Sequence, residues 1–177
     1  MAWFGRGKGS ADEVAEAAAA DTSRFPTADE SMIDDAGMGP LRPRDRQIGA
    51  NEQARIDAGL AALAAAGVSV DDLDALGAAY DREYAEWHGT RKGKRPDHDL
   101  IVEKYAIGIG EHLARTTDLR WRIVTDVFGT DLALADQKEG DFIVVPTNLV
   151  AARWMRTEIG WIPGVVRHLI AVRTDAR

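Results

Sequence analysis

The sequence predicts an α+β domain on three observations. Apolar residues recur at three- and four-residue steps between residues 48 and 112, the spacing of amphipathic helices. Alternating and continuous apolar runs follow between residues 120 and 145, as strands require. Turn formers stand at the joints: Gly67, Pro96, Gly129, Gly140, Pro146 and Gly160. The combination gives an αα-hairpin, a central helix, a three-stranded antiparallel β-meander and C-terminal helices packed on one sheet face.

The first helix is expected from about Asp45 to Ala66, with Ile48, Ile56, Leu60 and Leu63 on one stripe and Gly67 as its stop. Ser69 is placed to cap the second, with Asp72 three residues on. Leu73, Leu76, Tyr80, Tyr84 and Trp87 form its apolar face. Residues 88–96 read as a loop, and its four cations (Arg91, Lys92, Lys94 and Arg95) as a solvated charge run without an aromatic platform.

A third helix opens at Asp97 or Asp99 and places Ile101, Tyr105, Gly108 or Ile109, and His112 on one face. Gly108 and Gly110 each cost about 1 kcal/mol against alanine in a helix interior. Close approach of another element offsets such a cost, which makes this the central helix on the sheet. Strands are expected at Arg120–Thr125, Leu132–Leu134 and Phe142–Val145. Turns at residues 128–131, with Gly129 at positive φ, and at residues 138–141 join them. Thr147 or Asn148 can cap a helix from Leu149 to Glu158 with Trp154 and Met155 inward, stopped by Gly160. Pro163 opens a last helix that ends near Arg173.

Residues 1–46 are rich in Gly, Pro, Ser, Asp and Ala. They are expected to form a flexible tail, with a marginal helix in the alanine run at residues 15–20. A single α+β domain is expected over residues 47–175. The 177 residues contain no cysteine, which excludes disulfides, thiolate metal sites and cysteine nucleophiles. No apolar run reaches the ~20 residues of a membrane span. The N-terminus, with Trp3 and Phe4 beside Arg6 and Lys8, lacks the apolar core of a secretory signal. A cytoplasmic location is the expectation. The net charge is −7, spread as −10 over residues 1–150 and +3 over residues 151–177. An acidic body argues against general nucleic-acid binding.

Gly108-x-Gly110-Glu111, Trp121, Asp126-x-x-Gly129, the strand ending at Pro146 and Arg153 downstream together resemble the bacterial domain of unknown function 3806. The resemblance spans about residues 70–170, and the preceding αα-hairpin with Trp87 is similar to the actinobacterial form. It implies an α+β cytoplasmic bacterial domain with no established activity, and it carries over no catalytic residue.

Candidate chemistry is sparse. His88, His98, His112 and His168 form no His-x-x-x-His pair, so neither metal nor cofactor is expected. His112 is a candidate general base with Asp126 as a second catalytic residue, set against the simpler reading of a buried, satisfied histidine. Asp126, Asp131, Asp136, Glu139 and Asp141 make an acidic hairpin rim that turn chemistry explains. Arg153, Arg156, Arg167 and His168 are the anion-site candidates, against surface arginines that balance an acidic body. Trp161 and Ile162, between two helices, are the candidate contact for a protein partner. The preferred function is a non-enzymatic protein-interaction or binding module. The alternatives are a small hydrolase or transferase using His112, Asp126 and Arg153, and an immunity-type inhibitor that covers a basic toxin with an acidic face. Ligand, oligomeric state and ordering of the tail on binding are not legible.

Overall fold

The computed structural model describes residues 43–127, 129–136 and 142–175. Among them the order is β1 (Arg44–Gln47), α1 (Ala50–Ala65), α2 (Leu73–Gly89), a 3-10 turn (Lys92–Lys94), α3 (His98–Thr116), β2 (Arg120–Asp126), β3 (Gly129–Ala135), β4 (Ile143–Val144), α4 (Pro146–Met155) and α5 (Ile162–Asp175). The fold class is α+β, as the sequence predicts. The sheet has four antiparallel strands in the order β1-β2-β3-β4, one more than the expected meander.

The extra strand corrects two expectations together. The sequence predicts tail up to residue 46 and a first helix from about Asp45. The backbone instead pairs with β2, Arg44 opposite Thr125 and Gln47 opposite Arg122. Arg-Asp-Arg-Gln carries no apolar alternation, because an edge strand can be charged and stay paired. Asp45 accepts from Arg122 Nε across the β1–β2 pair. Helix α1 then starts five residues later than expected. The Glu52 carboxylate accepts the Gly49 N–H at 2.8 Å, and this bond lowers its pKa below the usual glutamate range. The tail residues up to 42, Trp3, Phe4 and the alanine run among them, lie outside the described residues, as do the turn at 138–141 and Phe128.

Other boundaries shift for local reasons. Asp72, not Ser69, caps α2, its Oδ1 accepting from the N–H groups of Asp74 and Ala75 at 3.1 and 2.9 Å. Ser69 accepts instead from Asp71 N–H. Strand β3 runs back to Gly129, which sits at φ 136°. Strand β4 shortens to two residues, since Pro146 already serves as the first residue of α4. Met155 is exposed rather than inward. One residue past the buried Trp154, it lies about 100° round the helix.

Helix α3 touches every other helix as well as β2 and β3. Its glycines make that possible. A Cβ on Gly110 would overlap the Trp121 ring. One on Gly108 would meet Leu63 Cδ1 at 2.8 Å, while Ile107 presses on Gly59 of α1. The sheet therefore seats directly on the α3 backbone. The larger core joins the helices to Leu134 and Val144, and a smaller one joins Ile56, Ile107, Ile123 and Leu132. Helix α4 packs on α3 and β3, and α5 packs on α2 and α3.

Gly110→Ala is expected to lower the unfolding free energy by ~1–3 kcal/mol, the usual cost of overpacking. Gly164→Ala, in a helix with open space at that position, is expected to be neutral or stabilising by up to ~1 kcal/mol. Urea denaturation of the two variants checks the pair.

Candidate functional site

The aromatic stripe predicted on α2 gathers partners from three other segments. Trp154 of α4 is the hub. Its ring lies 4.9 Å from Tyr84, 5.3 Å from Trp87, 6.1 Å from Tyr80 and 6.2 Å from both His88 and His98. Tyr80 also meets Tyr105 and Trp161 edge to face at 5.4 and 5.7 Å. Edge-to-face geometry of this kind adds to burial. Helix α2 supplies Tyr80, Tyr84 and Trp87 at i, i+4 and i+7, which puts them on one face.

One end of this cluster reaches solvent. Trp87 donates its indole N–H to Pro96 O at 2.9 Å, and the Arg95 guanidinium lies 4.3 Å over the same ring. Arg95 also donates to the carbonyls of Thr90 and His88. One of the four loop cations thus fastens the loop to the aromatic platform. Arg91, Lys92 and Lys94 are exposed, in agreement with a solvated run. The His98–Trp154 contact sets the start of α3 beside the end of α4. Leu100, Met155 and Ile159 are exposed on these elements and on the connection after α4. At the start of α3, side-chain atoms of Asp97, His98 and Asp99 also lie within 4.8 Å of one another. The Asp97 carboxylate is already used as the cap that accepts from Asp99 N–H.

The structure does not assemble the His112–Asp126 pair. His112 is buried, and its Nδ1 stands 2.7 Å from Val70 O in the α1–α2 connection. Two residues earlier, Gly110 packs on Trp121. Asp126 lies five residues farther along β2 than Trp121, roughly 17 Å at strand rise, and pairs in register with Gly129. His112 behaves as the buried, satisfied histidine of the simpler reading.

The anion candidates are likewise dispersed. Arg153 stacks 4.6 Å over Trp161, donates to Leu149 O and stands 3.7 Å from Glu158. Arg156 is exposed and reaches the same Glu158 at 4.0 Å. Arg167 pairs with Asp74 at the start of α2 at 2.7 Å. His168 is exposed on α5. Trp161 and Ile162 correct the partner-contact expectation. Both are buried, because Gly160 N–H is held by the Asp81 carboxylate and draws the connection onto α2.

A cavity of about 620 Å³ opens where β1 and β3 end and β2 begins, lined by Asp45, Gln47, Ile48, Arg120, Trp121, Arg122, Ala135 and Asp136. Its charges serve the fold. Asp45 pairs with Arg122, and Arg120 donates to the carbonyls of Ala114, Thr117 and Leu119. Buried Asp136 pairs with Arg173, which also grips Asp118 with two nitrogens. Sequence reading missed this cavity because its β1 wall carries no strand signal.

Residues 81–163 match the model of a family described as domain of unknown function (DUF3806), so the resemblance read from the sequence holds. The matched segment contains Tyr84, Trp87, His88, His98, Trp154 and Trp161. No curated protein and no solved structure matches the chain.

Trp154→Ala is expected to cost ~3–5 kcal/mol, the range for a buried aromatic, and urea denaturation checks it. A pH series tests the tyrosines. Burial, then the hydrogen bond to Glu83, raises the Tyr105 pKa; burial raises that of Tyr80. Both phenols are neutral when folded, so their contribution is complete below about pH 10 and declines as pH rises above it. Tyr105→Phe is expected to flatten that alkaline decline in the urea midpoint.

Proposed function

We propose that this DUF3806-like domain is a non-enzymatic protein-interaction module. Its partner surface is the end formed by the close of α2, the 90–97 loop, the start of α3 and the close of α4. The observation that carries the reading is the exposure of large apolar side chains there: Leu100 at 66%, Met155 at 76% and Ile159 at 61%. Polar residues at these exposed positions would carry no packing cost. Clustered exposed apolar groups mark contact sites in soluble domains.

The surrounding charge defines the partner. Arg91, Lys92, Lys94 and Arg156 are exposed at this end, beside the exposed carboxylates of Asp97 and Asp99 and with Glu158 next to Arg156, although the whole chain carries −7. A basic rim on an acidic protein steers an acidic partner to that end and repels it elsewhere. The occupant is therefore an acidic polypeptide segment with apolar anchors.

Fluorescence polarisation with synthetic peptides tests this. One set alternates Asp or Glu with Leu or Phe, and its control replaces the acids by Lys. The acidic set is expected to bind, and more weakly as salt increases. A Leu100→Asp/Met155→Asp double variant is expected to lose at least ~10-fold in affinity with an unchanged melting temperature. Equal binding of both sets, or no effect of the double variant, would overturn the reading.

A further inference from the structure

An acidic segment with apolar anchors, the occupant proposed above, occurs in the chain itself. Residues 29–38 read Asp-Glu-Ser-Met-Ile-Asp-Asp-Ala-Gly-Met. Asp29, Glu30, Asp34 and Asp35 supply four negative charges, and Met32, Ile33 and Met38 supply three large apolar side chains. No lysine or arginine stands between Arg24 and Arg42, so nothing close in sequence offsets that charge. The segment lies outside the described residues.

Its chemistry complements the surface in both respects. Leu100, Met155 and Ile159 offer exposed apolar area, and methionine anchors adapt to an irregular apolar surface because their side chains are unbranched and polarizable. Arg91, Lys92, Lys94 and Arg156 are exposed at the same end, partly offset by Asp97, Asp99 and Glu158. Other acidic stretches fit less well. Residues 12–21 carry Asp12, Glu13, Glu16 and Asp21 but only Val14 beside alanines, and alanine methyls bury little area. Asp71, Asp72 and Asp74 are committed within the fold, to Arg115, to the cap of α2 and to Arg167.

We propose that the occupant is the segment 29–38 of a second copy of this chain, a proposal that rests on the partner surface argued above. Two copies can exchange segments reciprocally, each surface receiving the other's, which closes the assembly at a dimer. Each contact then raises the effective concentration of the other, so two modest contacts give a stable pair. The net charge of −7 makes two copies repel as whole bodies. Association therefore depends on opposite charges meeting locally, the four carboxylates of the segment against the cations of the rim.

Sedimentation equilibrium of the full chain, from micromolar to submillimolar concentration, tests the exchange. A dimer is expected. Met32→Ser/Ile33→Ser is expected to raise its dissociation constant at least ~10-fold, and Leu100→Asp/Met155→Asp to do the same, each with unchanged helical circular dichroism. An excess of a synthetic peptide of residues 27–39 is expected to return the dimer to monomer. The same peptide with its four acids replaced by Asn and Gln is expected to leave the dimer intact. A chain that stays monomeric, a dimer that either double variant leaves intact, or equal action of the two peptides would overturn the proposal. The polarisation measurement separates this outcome from the fate of the surface itself. If the alternating acidic peptides bind and the 27–39 peptide does not, the surface stands and the second copy is not its occupant. If neither binds, the surface falls as well.

Discussion

The close approach of α3 to the sheet is the contact on which the rest of the structure depends. It exists because Gly110 presents bare backbone where Trp121 needs room. With α3 lowered onto β2 and β3, its other faces stay free to receive α1, α2, α4 and α5. A helix bearing side chains all round would stand farther from the sheet by roughly a methyl group or more, and interiors packed at crystal density do not absorb such a gap. The two interior glycines are therefore packing devices, and their helix cost is offset by the contacts they permit.

The same seating explains the aromatic cluster. Helix α3 brings Tyr105 against Tyr80 and His98 against Trp154, while α2 and α4 supply the remaining rings. The domain thereby gathers most of its described aromatic residues between α2, α3, α4 and the connection to α5. Arg95 and Arg153 each lie over a tryptophan, so both are fixed by the cluster and not by ion pairs alone. The basic and apolar end of the domain is an outgrowth of this packing.

Much of this was legible in the sequence. The helices, the central role of α3 and the positive φ at Gly129 follow from periodicity and from glycine placement. The β1 edge strand was not legible. Its stability comes from backbone pairing and the Asp45–Arg122 contact, and neither leaves an apolar pattern. The burial of Trp161 and Ile162 was hidden for a similar reason. It depends on Asp81, 79 residues upstream of Gly160, and local composition carries no trace of such a bond. Arg153 was visible as a charged residue in a helix. Its stacking over Trp161 required the fold, because the two side chains meet only through tertiary packing.

Native-state hydrogen exchange tests the central claim most directly. If the α3 backbone is the seat of the sheet, the amides of Ile107 to Gly110 should exchange only through global unfolding, with the same opening free energy as the paired amides of β2 and β3. Residues 90–97 should open at much lower free energy. Exchange of the α3 amides through an opening cheaper than that of α2 or α4 would contradict the account, since it would mean that the helix leaves while the rest of the fold stands.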